Sequence, residues 1–380
     1  MVETSENNRY TKTDPQNNYR KRSSLLDTKE MKTLCSVDGL YLDGEYTKNK
    51  KRISGEKEEF PGKESMIPDA YYDDYSGILM AGGSSEGERS MRSVSHGSTS
   101  VIGRRRSMED AVTVAPGGVV AGQSDVYDFF AVYDGHGGAR VANACKERMH
   151  QLVANELIKK ERSSDESYWG KVMTECFKKM DDEVTGGGKG NLEGGEALVL
   201  SSENTVGSTA LVVMVGKEEL VVANCGDSRT VLCRGGVAVA LSRDHKPDRP
   251  HERERVEAAG GRVVNGDGNR VLGVLGTSRS IGDQYLRPCV TSEAEVAEVT
   301  VIKRTGSDEF VVIGTDGLWD VISNEFACEV VKKCLRGQIK HRSFSDEYNR
   351  SHAAEAAAML AQLAMAKGSK DNISVVVIEL

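Results

Sequence analysis

The sequence lacks several features that would place it in familiar classes of protein. Its 380 residues carry a formal net charge of -8, whereas nucleic-acid-binding domains are more often basic. No apolar run approaches the ~20 residues that a membrane-spanning helix needs. The N-terminal stretch also lacks the apolar core of a signal peptide. We therefore expect a protein that binds neither nucleic acid nor a membrane.

The cysteines also exclude several kinds of site. All eight are scattered, and none forms a C-x-x-C pair, which excludes a zinc knuckle and a dithiol redox motif. None is followed six residues later by arginine, as the nucleophile of a tyrosine-phosphatase loop would be. Scattered thiols suit a reducing compartment. We therefore expect the cysteines to be structural and not to act as nucleophiles.

The composition of the chain changes near residue 92. Residues 1–92 are rich in Lys, Glu, Asn, Asp, Ser and Gly, so they cannot bury enough apolar surface to offset their chain entropy. We expect a largely disordered N-terminal extension over 1–92 and one folded domain over 93–380. The basic run KNKKR at 48–52 has the composition of a nuclear import signal, and a solvated charge run fits it equally well.

The folded domain is predicted to combine many strands with a few helices. VYDFFAVYD predicts a buried strand, and apolar residues at helical spacing after Gly138 predict an amphipathic helix. No G-x-G-x-x-G or Walker loop follows a strand, which argues against a nucleotide-binding βαβ fold. Strand-rich stretches linked by short turns favour an α+β fold, namely a β-sandwich of two antiparallel sheets flanked by helices.

Four predicted strands begin or end beside an aspartate. Asp134, Asp227 and Asp316 follow apolar strands, and Asp371 precedes the last one. A single Asp at a strand end usually hydrogen-bonds nearby backbone, but the repetition suggests that these ends converge. Converging carboxylates repel one another unless a cation lies among them. Oxygen ligands favour a hard ion such as Mg²⁺ or Mn²⁺ over zinc.

Seven motifs carry a resemblance to a known family. In chain order they are RRRSMED, FFAVYDGHGG, NCGDSRTVL, LSRDHKPDRPHERERVEAAGG, SRSIGD, GTDGLWDV and DNISVVV. In this order and spacing they resemble the metal-dependent type 2C (PPM) protein serine/threonine phosphatases over residues 96–380. The stretches RRRSMED, DHKPDRP and EAAGGRV further resemble the plant group A members, which act in abscisic acid signalling.

The resemblance implies a centre of two Mg²⁺ or Mn²⁺ ions. Asp134 would bridge both ions, Glu109 and the Gly135 carbonyl would serve one ion, and Asp316 and Asp371 would serve the other. Glycine at 135 lets a backbone carbonyl approach an ion closely. A water held between two such cations loses a proton near neutral pH and would attack phosphorus in line, without a phosphoenzyme.

The resemblance also assigns roles to residues around that centre. Arg105 matches a phosphate-clamping arginine, whose guanidinium suits two phosphate oxygens. His136 would protonate the leaving serine or threonine oxygen. Asp227 and Asp320 match positions that hold a weaker third ion. Two further acids are expected to support the site or the fold: Asp110 and Asp283.

One stretch departs from the group A pattern. Most group A members carry a tryptophan after EAAGG, on a flap that reaches toward the hormone-bound receptor, and Gly266 stands in its place here. Asn265 and Gly266 predict a hairpin turn in which the glycine supplies a positive φ. Losing an aromatic anchor costs an interface about 2 kcal/mol or more. We therefore expect weak or no binding to soluble abscisic acid receptors.

The resemblance implies phosphorylated protein kinases as substrates, further regulatory proteins as partners, a monomeric state, and a location in the nucleus and cytoplasm. Two alternatives stay open. One is a non-catalytic module that docks kinases and masks them, and the other is a two-metal hydrolase of small phosphoesters. The presence of Glu109, Asp134, Asp316 and Asp371 favours an active enzyme over the inert module.

Overall fold

The computed structural model describes residues 93–121, 125–159, 167–186, 205–266, 268–293, 299–339 and 351–380. The predicted disordered extension over 1–92 and its basic run lie outside the described residues. None of the helices in the described ranges combines the length and apolarity that crossing a bilayer requires.

The strands and helices of the described residues follow one another along the chain. The strands are β1 (His96–Val101), β2 (Ala111–Ala121), β3 (Asp125–Tyr133), β4 (Gly135–His136), β5 (Gly207–Ser208), β6 (Ala210–Val215), β7 (Glu219–Cys225), β8 (Arg229–Arg234), β9 (Val237–Ala240), β10 (Val263–Gly266), β11 (Gly268–Val271), β12 (Ile281–Gly282), β13 (Thr300–Lys303), β14 (Asp308–Gly314) and β15 (Ile373–Glu379). The α-helices are α1 (Arg140–Lys159), α2 (Tyr168–Thr185), α3 (Pro250–Ala258), α4 (Asp316–Trp319), α5 (Asn324–Leu335) and α6 (His352–Ala366).

Two five-stranded antiparallel sheets pack face to face. One has the order β1-β15-β14-β8-β9 and the other β13-β7-β6-β3-β2. Strand β3 shows how the core forms, because successive side chains of a strand point to opposite faces. Phe130 and Val132 join the core between the sheets, whereas Phe129, Ala131 and Tyr133 join the core under the helices. Burial on both faces explains why the second half of this strand, residues 129–133, is continuously apolar, and the predicted β-sandwich is confirmed.

Helices cover the outer faces of both sheets. Helices α1 and α2 pack on the sheet that contains β3, and α6 packs on β1 and β15. Helix α6 begins at a capping serine, because Ser351 Oγ accepts the N–H of Ala354 at 3.2 Å and donates to the His96 carbonyl at 2.9 Å. A Cβ at Gly97 would collide with the backbone of Ala354, so glycine permits this close approach. The predicted flanking helices are therefore present on both sides.

Smaller elements connect the sandwich to the loops that bear the acids. A three-stranded sheet has the order β12-β5-β4. Helix α3 is tied to the stretch before β12 by an ion pair between Glu252 and Arg279, both of which are buried. Arg255 and Ser278 also bond to the Glu252 carboxylate, at 3.0 and 2.5 Å. This fully bonded arrangement fixes the segment that leads to Asp283.

The hairpin of β10 and β11 corrects one prediction. A hairpin is present, but Asn265 pairs with Asn269 and Gly266 pairs with Gly268, so both predicted turn residues belong to a strand. The positive φ, 90°, falls on Gly268 and not on Gly266. The prediction that Asn265 and Gly266 form the turn is therefore wrong, because strand pairing continues through both residues.

Candidate active site

The loops at the strand ends bring together acids that are far apart in sequence. Asp134 links β3 to β4, Asp227 lies between β7 and β8, Asp316 begins α4, and Asp371 precedes β15. Burial raises the pKa of Asp134 well above its usual range, and the charges of Asp316, Asp110, Asp227 and Asp371 raise it further. Such mutual effects require the carboxylates to lie close together. The structure therefore assembles these acids, while their role as ligands stays a prediction.

Asp110 supports this cluster from the interior. Burial raises the pKa of its carboxyl to about 7, despite hydrogen bonds from Ser374 and Thr315. Thr315 Oγ1 lies 3.1 Å from Asp110 Oδ2. Among the described residues, Asp110 Oδ1 is a buried oxygen without a hydrogen-bond partner. A buried carboxyl with an unmatched oxygen is suited to a nearby cation or water.

Two side-chain cations lie among the acids. Arg105 Nη2 lies 2.5 Å from Asp371 Oδ2. Lys246 Nζ lies 2.6 Å from Asp227 Oδ2 and 3.8 Å from one carboxylate oxygen each of Asp316 and Asp320. In the described ranges, no group of three or more His, Cys, Asp or Glu side chains is placed so that it could hold a metal ion as it stands. The two cations thus neutralise part of the acidic charge.

Lys246 was not assigned a role from the sequence. It lies in the motif DHKP, and its charge opposes the rise in the pKa of Asp316, which burial and Asp227 bring about. The sequence offered one indication of its role: its motif lies between two others that each contain an aspartate, NCGDSRTVL and SRSIGD. A lone lysine has no periodic pattern that reveals which carboxylates it will contact.

The loop between β1 and β2 is held in place by Asn372. The Glu109 N–H donates to Asn372 Oδ1 at 2.8 Å, and Asn372 Nδ2 donates to the carbonyls of Ile102 and Ser107 at 2.9 and 3.0 Å. Gly135 packs against this loop, because a Cβ there would collide with the Glu109 carbonyl oxygen. Ser107 Oγ lies 3.4 Å from a carboxylate oxygen of Glu109. Asn372, which sequence reasoning missed, therefore positions the loop that carries Glu109.

His136 is paired with a buried aspartate. Its Nε2 lies 2.6 Å from Asp283 Oδ2, and Ser280 Oγ donates to the same oxygen at 2.5 Å. Strand β5 holds this pair together, because Gly207 is the register partner of both His136 and Gly282. With Nε2 bound to Asp283, Nδ1 is the nitrogen that remains for a substrate. Asp283, expected only to support the site, thus orients the predicted acid.

Comparison with known proteins decides the family. Residues 94–373 match the profile of protein phosphatase 2C. The chain belongs to the protein phosphatase 2C family. It is 51% identical over 313 residues to Probable protein phosphatase 2C 8 of Oryza sativa subsp. japonica, covering 76% of this chain and 74% of that protein. It is 47% identical over 296 residues to Protein phosphatase 2C 37 of Arabidopsis thaliana, covering 75% and 71%.

A solved structure shows the same fold. The serine-threonine phosphatase 2C from Toxoplasma gondii superposes with a TM-score of 0.60 at 21% identity, covering 76% of this chain and 95% of that one. The enzyme class predicted from the sequence, a protein phosphatase, is confirmed by the family. Enzymes of this family depend on Mg²⁺ or Mn²⁺ in general.

The donor set of this phosphatase fits such ions. The acids of the cluster offer carboxylate oxygens only, which hard divalent cations prefer. Burial raises the pKa values of Asp134 and Asp316, and the neighbouring carboxylates raise them further; a bound cation relieves repulsion of this kind. The described cysteines are buried, and burial raises the pKa of Cys225 and Cys334 to about 12. Thiols of this kind do not serve as nucleophiles near neutral pH.

Proposed function

We propose that this phosphatase hydrolyses phosphoserine and phosphothreonine in proteins at a centre of two Mg²⁺ or Mn²⁺ ions. One observation carries the proposal: Asp134 lies where the charges of four other carboxylates reach it. The match of the chain to the protein phosphatase 2C family supports it. Whether a weaker third ion joins the pair depends on Asp227 and Asp320.

The ions would be held by the acids of the cluster. Asp134, Asp316, Asp371, Glu109 and the Gly135 carbonyl are the proposed ligands. When bound, two divalent cations supply Lewis acidity toward a phosphate and lower the pKa of a water near them. The other steps fall to the protein's own side chains.

Arg105 would bind and orient the phosphate. Its side chain is 54% exposed, so a phosphate can reach the guanidinium from solvent. Two of its N–H groups can bind two phosphate oxygens in a planar, bidentate arrangement. In the structure Arg105 pairs with Asp371, and this contact would loosen when the phosphate takes its place.

His136 would protonate the leaving group. As the bond from phosphorus to the serine or threonine oxygen breaks, that oxygen needs a proton, and His136 Nδ1 would donate it. Asp283 would keep the ring in the required orientation, because its Oδ2 lies 2.6 Å from Nε2.

A phosphopeptide assay with Mn²⁺ tests the proposal. Wild type should release phosphate, whereas Asp134→Ala and wild type with excess EDTA should lose most of this activity. Equal turnover in all three samples would eliminate the assignment. If wild type bound phosphorylated kinases without turnover, the alternative of a non-catalytic docking module would be favoured. The presence of Glu109, Asp316 and Asp371 argues against that alternative.

We further propose that the substrates are kinases of the abscisic acid pathway and that a monomeric enzyme acts in the nucleus and cytoplasm. The group A resemblance of the motifs and the identity to plant relatives support the pathway. The basic run at 48–52 supports nuclear entry. Dephosphorylation of such kinases by wild type, compared with Asp134→Ala, tests the substrate class.

We also propose that soluble abscisic acid receptors inhibit the phosphatase activity of this protein weakly or not at all. Gly266 is exposed, and a Cβ there would meet no atom within 4 Å. The flap therefore has room for a large side chain that this sequence does not supply. Wild type should stay active with receptor and hormone, and Gly266→Trp should become inhibited. Strong inhibition of wild type would refute this part.

A further inference from the structure

Lys246 occupies the position between three acids on one side of the cluster. Its ammonium lies 2.6 Å from Asp227 Oδ2 and 3.8 Å from both Asp316 Oδ2 and Asp320 Oδ1. Asp227 is buried, Asp316 is half-buried, and Asp320 faces solvent. One positive charge is thus shared among three carboxylates that divalent cations would also bind.

The backbone beneath Lys246 is clamped to the loop that carries Asp227. His245 is fully buried, its N–H donates to the Gly226 carbonyl at 3.0 Å, and its ring Nδ1 lies 3.0 Å from the Gly226 nitrogen. On the other side, the Asp244 carboxylate binds two nitrogens of Arg229 at 2.9 and 2.6 Å. The start of the lysine side chain is therefore held beside Asp227 by the fold.

The Lys246 side chain also reaches the surface of the protein. The Lys246 side chain is 34% exposed, compared with 8% for Asp227. A flexible four-carbon stem lets an ammonium reach solvent without a change in the backbone. Lys246 can therefore withdraw when another cation takes the carboxylates, but the exchange costs the contacts that it leaves.

We propose that Lys246 is a built-in counter-ion that competes with a divalent cation for Asp227, Asp316 and Asp320, and so weakens ion binding on this side of the centre. The inference rests on the proposed divalent-cation centre. The ammonium neutralises the acids when no ion is bound, and its positive charge repels an arriving ion. Asp227 and Asp320 are then a low-affinity site because of a residue that is not a ligand.

Calorimetric titration with Mn²⁺ alone tests the proposal, using wild type and three variants. Lys246→Gln removes the charge, Lys246→Arg keeps it, and Lys303→Gln removes an exposed lysine from strand β13 as a matched control. A charge at this distance changes the proton affinity of a carboxylate by about tenfold or more, and we expect an effect of about that size on its affinity for a metal cation. We expect Lys246→Gln to bind its weakest Mn²⁺ about tenfold more tightly than wild type, and both other variants to match wild type.

Thermal unfolding provides a second readout. In EDTA, Lys246→Gln should unfold at a lower temperature than wild type, because its acids lack a counter-ion. Added Mn²⁺ should raise its unfolding temperature by more than that of wild type, because a ligand that binds the folded state stabilises it more when its Kd is lower.

The outcomes separate this inference from the proposed function. Lys246→Gln with wild-type affinities and an equal Mn²⁺-induced shift would overturn the inference and leave the metal centre standing. Weaker binding by Lys246→Gln would also overturn it, since the lysine would then assist the ion. A wild type that binds no Mn²⁺ would overturn both.

Discussion

The pairing of His136 with Asp283 predicts a loss of activity that depends on the leaving group. Hydrolysis of phosphoserine expels an alkoxide, which needs a proton as the bond breaks. Hydrolysis of p-nitrophenyl phosphate expels a phenolate that is stable as an anion. If His136 donates the proton, His136→Ala should lower kcat on a phosphopeptide by about 10²- to 10⁴-fold, the range for general acid catalysis. It should lower kcat on p-nitrophenyl phosphate far less.

Asp283→Asn tests the orientation of the ring. Asp283 has a φ of 49°, which asparagine tolerates, so the backbone should keep its conformation. The substitution replaces the oxygen that lies 2.6 Å from His136 Nε2. A hydrogen bond to a charged group contributes about 1.5–3 kcal/mol, which corresponds to about 10- to 100-fold in rate. We expect that loss in kcat on the phosphopeptide, with KM unchanged.

Steady-state kinetics on both substrates, with the same Mn²⁺ concentration, decides the question. Unfolding temperatures of both variants serve as the control for folding. A loss of equal size on both substrates would refute proton donation by His136, because the chemistry of the leaving group would then not matter.

Three further substitutions test the His136–Asp283 pair, the buried Glu252–Arg279 ion pair and the buried Asp110 carboxyl. Gly207→Ala would place a Cβ on both His136 Nε2 and Asp283 Oδ2, so it should reproduce the leaving-group-dependent loss in the same assay, and unchanged kinetics would contradict the pairing. Glu252→Gln should lower the free energy of unfolding in urea by about 3–5 kcal/mol, because it removes the carboxylate charge that faces the buried Arg279 guanidinium; a loss under about 1 kcal/mol would show that the ion pair is dispensable. Since burial raises the pKa of Asp110 from 3.8 to about 7, the folded state binds its proton more tightly than the unfolded state. The stability that the Asp110 carboxyl contributes in EDTA should therefore be full below the unfolded pKa of 3.8 and should be lost as pH rises toward the folded pKa of about 7. Asp110→Asn should make the free energy of unfolding in urea depend less on pH in this range. Equal pH dependence in wild type and variant would contradict the raised pKa.

The strands and the acids at their ends were the predictable part of the molecule. The apolar run of β3 and the helical spacing after Gly138 indicate local structure directly, because the spacing of apolar residues within a segment shows which of its side chains are buried. The acids could be found because Asp134, Asp227 and Asp316 each follow such a run. The order of the strands, in contrast, depends on pairings between distant segments such as β1 and β15.

The contacts between motifs could not be predicted. His136 and Asp283 are separated by 147 positions in the chain, and neither sequence neighbourhood indicates the other. They meet across β4, β5 and β12, strands of two residues each, which are too short to produce a periodic pattern. The hairpin error has a similar origin, since the pairing of Asn265 with Asn269 outweighed a local turn preference.

The most direct test of the proposed metal centre is a crystal structure of the protein grown with Mn²⁺, with the ions located by their anomalous scattering. Two strong peaks are expected between Asp134, Asp316, Asp371, Glu109 and the Gly135 carbonyl, with Asp134 next to both. A structure with no peak among these residues, in which Arg105 still pairs with Asp371 and Lys246 with Asp227, would contradict the proposed centre.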